Sequence, residues 1–321
     1  MQRTILRSAK WTVPLLFNRH SKLAKNDILL LSSPRSGSTI LLNVIASEPR
    51  MRRISEPLSK PELEFYDILR LEPHVRYITL NDYEKSILKD YLTGIHPLDF
   101  FGPLNVFGKH FRFFTNRSVI KVLRANSLIH WFMDDLHFDV VYLIRHPLSQ
   151  SLSYIRRGAP SEIEPFIEDD WFVSNYLDGN LLRFLRGIIK TKNPLERAVA
   201  TWCLDNLIPL EATHRRGDLL SISYEQLVTE PRRIIRLLSQ KLNLEHPRLM
   251  LNTMNVPSES SESSSNETRL MISRQDSRFL IKKWKTQISS GVERRMFEII
   301  RNFGIDAYKQ DNFKAEPPIH K

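Results

Sequence analysis

The chain of 321 residues has a single cysteine, Cys203, and only 10 glycines. One cysteine excludes an intrachain disulfide and a cysteine-rich metal site, and it favours a reducing compartment. The glycine content is well below the usual share of about 7%, so a glycine in a sharp loop carries more weight than usual. Gly37 is such a glycine.

The chain also lacks an apolar run long enough to span a bilayer. Its N-terminal apolar stretch, 11–17, is interrupted by Pro14 and followed by basic residues. It is too short for a membrane helix and weak as a signal peptide. We therefore expect an N-terminal extension over residues 1–25, no transmembrane segment and a cytoplasmic location.

The charge is strongly basic but contains no long basic run. Lys and Arg number 47 against 36 Asp and Glu, which gives a net charge of +11 and predicts an anionic partner. Basic residues occur in scattered pairs, and aromatic residues are not interleaved with them along a strand, so we predict no nucleic-acid partner. A non-catalytic basic protein that binds anions or nucleic acid stays open as an alternative.

The pattern of apolar residues predicts an α/β fold. Four short apolar segments are typical of buried strands, at 27–33, 118–123, 139–144 and 219–223, and helical segments separate them. Such alternation indicates a central parallel sheet flanked by helices in three layers, as in P-loop-like folds. Residues 26–321 are expected to form one domain, with a flexible Ser/Glu-rich loop at 257–266.

Helical periodicity predicts the elements around this sheet. The expected helices are 39–47, 60–71, 82–92, 126–136, 163–177, 194–208, 231–242 and 282–300. Pro209 is expected to end or kink the helix that begins at Pro194, because proline has no N–H to donate.

The loop between the first strand and its helix carries the clearest chemical signal. It reads Ser-Ser-Pro-Arg-Ser-Gly-Ser-Thr over residues 32–39. Backbone N–H groups at a helix N-terminus form a cradle for an anion, and the hydroxyls of Ser36, Ser38 and Thr39 add donors. This predicts a site for a phosphate-like group, although a serine-rich turn is also an ordinary helix cap.

This loop differs from that of the P-loop nucleotide kinases. It lacks their Gly-Lys pair, and the strand 139–144 is followed by Arg145-His146-Pro147 instead of the aspartate that would help to hold magnesium. Arginine therefore replaces lysine and metal as the source of positive charge. No His-Glu-x-x-His arrangement occurs, so we predict no metal. A P-loop-type kinase with a degenerate loop remains the second alternative.

Three segments in order resemble the sulfotransferases that use 3′-phosphoadenosine 5′-phosphosulfate (PAPS). The stretch 34–39 is similar to the loop that binds the 5′-phosphosulfate in that family. Arg145, with Ser153 eight residues later, resembles the motif that binds the 3′-phosphate. Tyr224-Glu225-Gln226-Leu227 resembles a third motif, whose tyrosine lies near the nucleotide, and Lys121 and Arg124 resemble a basic strand end.

The resemblance extends from about residue 27 to 244 and implies PAPS as co-substrate, a hydroxyl-bearing acceptor and a set of site residues. The implied cofactor-binding residues are Arg35, Ser36, Gly37, Ser38, Thr39, Arg145, Ser153, Arg157 and Tyr224. The implied catalytic residues are Glu56, Arg35 and Lys121. His146 stands where many relatives have aspartate, and only Lys283-Trp284-Lys285 resembles the Gly-x-Trp-Lys of the cytosolic small-molecule branch. The chain therefore looks closer to the carbohydrate, tyrosylprotein and bacterial types, and its acceptor is expected to be a carbohydrate or another small metabolite.

Transfer to an alcohol requires a general base, and Glu56 is the leading candidate. It lies in Ile-Ser-Glu-Pro, 56 − 35 = 21 residues after Arg35, where a second parallel strand would end at the same edge of the sheet as the loop. Relatives of the carbohydrate type carry a glutamate in a similar place. The other possible bases are His110, His130, His137 and His146.

Overall fold

A computed structural model describes residues 19–21, 25–59, 76–93, 111–158, 162–258, 270–271, 274 and 276–316. The predicted helix at 60–71, His110 and residues 259–266 of the predicted loop lie outside these ranges.

The described strands form a five-stranded parallel sheet and a separate parallel pair. The central strands are β2 (Ile28–Ser32), β3 (Met51–Ser55), β5 (Arg117–Leu123), β6 (Asp139–Ile144) and β7 (Leu220–Ser223), and the pair is β1 (Arg19–His20) with β4 (Phe114–Thr115). The central order is β3-β5-β2-β6-β7. Helices flank this sheet, which confirms the predicted fold class.

The described α-helices and single-turn helices are as follows. The α-helices are α1 (Ser38–Ala46), α2 (Asp82–Leu92), α3 (Ile129–Asp134), α4 (Pro147–Ile155), α5 (Glu164–Ile167), α6 (Asp170–Tyr176), α7 (Gly179–Thr191), α8 (Pro194–Arg215), α9 (Tyr224–Thr229), α10 (Pro231–Leu242), α11 (Pro247–Met254), α12 (Ser277–Lys282) and α13 (Ser290–Asn302). Three further stretches are 3₁₀ helices: Pro57–Ser59, Asn126–Leu128 and Lys283–Gln287. None of the described helices is both long and apolar enough to cross a membrane.

The apolar strands are buried on both faces of the sheet. Along β2, Leu29 and Leu31 pack into one core, whereas Ile28 and Leu30 pack into the other. Alternate side chains of a strand point to opposite faces, so a strand covered on both sides reads as a continuous apolar run. The first core includes residues of α8 and α13, and the second includes residues of α1 and α10.

Helix α8 differs from the prediction because it continues through Pro209 to Arg215. Proline cannot donate to the carbonyl of Asp205, four residues earlier. That carbonyl instead accepts a hydrogen bond of 3.1 Å from the Nδ2 of Asn126. A side chain from another element thus satisfies the group that Pro209 leaves free.

Two other predicted helices are interrupted. The stretch 163–177 forms α5 and α6, because the Asp169 carboxylate accepts the N–H of Phe172 (2.8 Å) and starts a new helix. The stretch 282–300 contains the end of α12, the 3₁₀ helix and α13, which Ser289 caps by accepting the N–H of Val292. Both caps are polar residues inside otherwise periodic sequence.

Candidate functional site

A cavity of about 270 Å³ lies at the carboxyl edge of the parallel sheet. This is the edge at which ligands of open α/β sheets bind. The described side chains that line it come from the loop after β2, the ends of β3, β5 and β6, the helices α4 and α12, and the 3₁₀ helix 283–287. Polar residues among them are Arg35, Ser38, Thr39, Glu56, Lys121, Arg124, Arg145, Ser149, Ser153, Arg156, Tyr224, Ser258, Lys283 and Gln287.

Gly37 has a backbone conformation and a neighbour that both require glycine. Its φ is 91°, in the left-handed region, and it immediately precedes α1. A Cβ atom at this position would lie 2.4 Å from Cδ2 of Tyr224 and 2.8 Å from its Cε2. The tyrosine ring therefore packs directly against the loop and fixes its path.

The loop retains groups that can bind an anion. No side chain of the described residues caps the N-terminus of α1. The hydroxyl of Ser36 is buried and has no hydrogen-bond partner among the described residues. Uncapped N–H groups at a helix start, together with a buried hydroxyl, suit a phosphate or sulfate oxygen.

Arg35 joins the loop to α4 and lies in a strongly positive environment. Its Nε donates to the Oγ of Ser153 (3.2 Å). Burial is the main cause that lowers the pKa of Arg35 to about 10, and the positive charges of further arginines add to it: Arg157, Arg145 and Arg156. Concentrated positive charge of this kind favours the binding of an anion.

Arg145 follows β6 directly and is held from three sides. Its guanidinium donates to the backbone carbonyl of Arg35 (3.1 Å) and lies 4.4 Å from the ring centroid of Tyr224. The indole N–H of Trp202 donates to the carbonyl of Arg145 (3.1 Å). The Nε of Arg145 is buried without a hydrogen-bond partner in the described part of the chain, so it retains a donor for a ligand.

Glu56, Lys121 and Thr39 form a connected group beside the loop. The ammonium of Lys121 donates to Oε1 of Glu56 (2.6 Å) and to Oγ1 of Thr39 (3.1 Å). The Lys121 side chain is 2% exposed, whereas that of Glu56 is 27% exposed and faces the cavity. This group places a carboxylate and a buried cation next to the proposed anion site.

The three described histidines among the candidate bases do not line this cavity. His146 is fully buried, its ring stacks on Trp284 at 4.5 Å, and burial lowers its pKa to about 3. It is therefore a neutral core residue at physiological pH. His137 lines a different cavity with Asp139 at the start of β6, and His130 does not line the cavity at the loop. His110 lies outside the described residues.

Glu225 ties the site to the C-terminal part of the chain. This buried carboxylate accepts the N–H of His146 (3.0 Å) and the hydroxyl of Tyr308 (2.8 Å). Burial raises the pKa of Glu225, while these hydrogen bonds and the charge of Arg145 oppose that rise. Glu225 thereby anchors the backbone that immediately follows Arg145.

The cavity includes residues that the sequence did not assign to it. Lys283, Trp284 and Gln287 form part of its wall, and Arg156 donates to Oε1 of Gln287 (2.8 Å). No spacing pattern in the sequence links α4 with a segment about 130 residues further along. The one sequence feature that pointed to this segment was the partial resemblance of residues 283–285 to the Gly-x-Trp-Lys motif. Arg157 is exposed and does not line the cavity, although its charge affects Arg35.

Within the described residues, no group of three or more His, Cys, Asp or Glu side chains could hold a metal ion. No known protein-family profile and no curated protein matches the chain.

Solved structures of sulfotransferases are similar to the chain at low identity. The sulfotransferase domain of the olefin synthase from Synechococcus PCC 7002 is 18% identical with a TM-score of 0.46, over 90% of this chain and 99% of that one. Mouse sulfotransferase SULT7A1, solved with PAP, is 13% identical with a TM-score of 0.44, over 93% of this chain and 90% of that one. At these values, the function of this chain has to be argued from its own site.

Proposed function

We propose that this protein is a sulfotransferase that moves a sulfuryl group from PAPS to a hydroxyl group of a carbohydrate or another small metabolite. One observation carries the proposal. Two hydrogen bonds join the loop at Arg35 to the segment that begins with Arg145: Arg35 donates to Ser153, and Arg145 donates to the Arg35 carbonyl. The two motifs that we propose to bind anions therefore lie side by side in one cavity.

The residues present fit PAPS. The uncapped start of α1 and the buried hydroxyl of Ser36 suit the 5′-phosphosulfate, with Ser38 and Thr39 as further donors. The buried Nε of Arg145, together with Ser153, suits the 3′-phosphate. Tyr224 supports both parts, because its ring contacts Gly37 and Arg145.

The same geometry supports sulfuryl transfer. The acceptor oxygen forms a bond to sulfur while the bond from sulfur to the bridging phosphate oxygen breaks, and 3′-phosphoadenosine 5′-phosphate (PAP) leaves. Glu56 takes the hydroxyl proton as the new bond forms. Lys121 and Arg35 stabilise the negative charge that develops on the transferred group and on the leaving phosphate.

Calorimetric titration with PAP, ATP plus magnesium, and adenosine 5′-phosphosulfate tests the donor site. We expect PAP to bind in EDTA, and the analogue that lacks the 3′-phosphate to bind more weakly. Arg145→Ala should weaken PAP binding by about tenfold to a hundredfold, because it removes a charge-assisted hydrogen bond. Arg232→Gln, at an exposed position on α10, is the control and should bind PAP normally.

Two results would favour the other function classes. Tighter binding of ATP, with strict dependence on magnesium, would support a P-loop-type kinase. Binding of PAP, with no transfer of the sulfuryl group to any member of a broad panel of sugars and phenols, would support a non-catalytic anion-binding protein.

Glu56→Gln separates catalysis from binding. Glutamine keeps an oxygen that can accept the hydrogen bond from Lys121, but it cannot take a proton at neutral pH. We expect turnover to fall by about 10²-fold to 10⁴-fold while PAP affinity is retained. Glu245→Gln makes the same chemical change at an exposed carboxylate and should leave both quantities unchanged. Near-normal turnover of Glu56→Gln would remove Glu56 as the base.

A further inference from the structure

Arg124 lines the same cavity as the proposed donor site. Along the edge of the sheet, however, it lies on the opposite side of the central strand β2 from Arg145 and Tyr224. In the order β3-β5-β2-β6-β7, the loop follows the central strand β2, and Arg145 and Tyr224 follow β6 and β7 on one side of it. Glu56 and Arg124 follow β3 and β5 on the other side. If the nucleotide extends from the loop toward β6, the acceptor approaches over β5 and β3, where the base stands.

The backbone holds Arg124 at this edge. Its φ is 61°, in the left-handed region, and its carbonyl accepts the N–H of Tyr77 (2.8 Å). Arg35 and Glu56, which also line the cavity, have φ values of 68° and 52°. Three residues in the segments that follow β2, β3 and β5 thus adopt an unfavourable conformation around one cavity, as is common at functional sites. Two of them have roles in the proposed reaction, and Arg124 is the third.

The charged side chains that line the cavity together with Arg124 are mostly basic. The guanidinium of Arg124 lies near the hydroxyl of Tyr154, whose pKa is raised chiefly by burial and further by the Glu162 carboxylate, which is itself paired with Arg76. Among the described residues that line the cavity, Glu56 is the single acid, and it is paired with Lys121. The basic lining residues are Arg35, Lys121, Arg124, Arg145, Arg156 and Lys283.

We infer that the acceptor carries an oxyanion group, such as a carboxylate or a phosphate or sulfate ester, which Arg124 binds while Glu56 faces a nearby hydroxyl. This inference rests on the proposed function and names its substrate class. A guanidinium binds a carboxylate or phosphate through two parallel hydrogen bonds, which orient the acceptor as well as attract it. Arg124 is thus a specificity-determining residue.

Matched acceptors that differ in one acidic group test the inference. The probes are 4-nitrophenyl glucuronide against its methyl ester, and 4-hydroxyphenylacetate against its methyl ester, each with radiolabelled PAPS. We expect the acidic member of a pair to have the higher kcat/KM, by about tenfold or more. Arg124→Gln should lower that preference by about tenfold to a hundredfold, mainly through KM of the acidic member.

Two further variants separate selectivity from folding. Arg124→Lys keeps the charge but not the planar fork, so it should retain only part of the preference. Arg232→Gln removes an exposed arginine that does not line the cavity, so this variant should retain the full preference for the acidic acceptor. The melting temperature of each variant is measured in parallel, and Arg124→Lys decides the question if Arg124→Gln does not fold.

Three results would overturn the inference while leaving the donor site intact. The first is an equal kcat/KM for both members of each pair. The second is a loss of kcat/KM in Arg124→Gln that is the same for the acidic and the neutral member. The third is binding of PAP by the wild type with no transfer of the sulfuryl group to either acidic probe. Failure to bind PAP at all would instead contradict the proposed function.

Discussion

Gly37 shows how one residue can determine the shape of the loop over residues 32–39, which we propose binds the 5′-phosphosulfate. We expect Gly37→Ala to weaken PAP binding by about tenfold or more, because the new methyl group would collide with Tyr224 at 2.4 Å and the loop would have to move. Because alanine is strained in the left-handed backbone conformation, the free energy of unfolding of Gly37→Ala should also be lower than that of the wild type by about 1 to 3 kcal/mol. PAP titration and urea denaturation measure the two effects.

A second glycine supplies the control for this experiment. Gly187 lies inside α7, and no atom of the described part of the chain lies within 4 Å of a Cβ added there. Gly187→Ala should therefore stabilise the protein by about 0.5 to 1 kcal/mol and leave PAP binding unchanged. Wild-type affinity in Gly37→Ala would show that the contact with Tyr224 does not shape the loop.

His146 makes stability depend on pH. Its folded-state pKa of about 3 lies below the ordinary 6.5, so below pH 6.5 the unfolded chain binds a proton that the folded chain does not. The contribution of neutral His146 is present above pH 6.5 and is lost as pH falls toward 3, by about 1.4 kcal/mol per pH unit.

His146→Phe should remove this part of the acid sensitivity. A phenyl ring can keep the packing against Trp284 and Phe297 and has no proton to gain. Between pH 6 and 5, the free energy of unfolding of the wild type should fall more steeply than that of the variant, by about 1.4 kcal/mol. Urea denaturation at both pH values gives the two slopes, and equal slopes would contradict the assignment.

Helix α8 and the 3₁₀ turn before α3 are coupled to the loop through one side chain. The Nδ2 of Asn126 donates to the Oγ of Ser33 and to the carbonyl of Asp205, each at 3.1 Å. Ser33 immediately precedes Pro34 at the start of the loop. Pro209 leaves the Asp205 carbonyl without an intrahelical donor, and this carbonyl accepts a hydrogen bond from Asn126. Because Asn126 also bonds to Ser33, it connects α8 to the end of β2.

Asn126→Ala should lower the free energy of unfolding by about 1 to 3 kcal/mol, because it leaves a buried carbonyl unsatisfied. In Pro209→Ala, the new N–H can reach the Asp205 carbonyl four residues earlier and replace Asn126 in part. The double variant should therefore be more stable than the sum of the single changes predicts. Strict additivity in this double-mutant cycle would show that the two residues do not share the carbonyl.

The C-terminal part of the chain packs behind the site. The rings of Trp284, Phe297 and Tyr308 surround His146, which directly follows Arg145. We propose on this basis that residues 26–321 unfold as one domain.

Calorimetry with and without PAP tests this unity. We expect a single unfolding transition, which PAP at about 100 times its Kd should stabilise by about 2.7 kcal/mol. At the same PAP concentration, Arg145→Ala should show a smaller rise in Tm. Two transitions, of which PAP shifts only one, would divide the chain into separate domains.

Much of the architecture was predictable because its signals are local. The apolar run 27–33 contains β2, and 139–144 coincides with β6, since a strand buried on both faces needs continuous apolar sequence. The loop over residues 32–39 could be predicted as a site for a phosphate-like group because its polar residues are adjacent in the sequence. The location of Glu56 followed from a general rule, because parallel strands end at the same edge of a sheet.

The remaining features depend on partners that are distant in sequence. The continuation of α8 through Pro209 depends on Asn126, which is 79 residues from the Asp205 carbonyl that it satisfies. The cavity wall at 283–287 depends on contact with α4. The pairing of Glu56 with Lys121, across 65 residues, likewise needs the order of the strands. The residue types thus determined a parallel sheet with a loop rich in serine and arginine after its central strand, because short-range sterics and hydrogen bonding act along the chain. Which cations converge on that loop, and which histidines are buried away from it, was set by packing, since burial and charge neighbours exist only once the chain has folded.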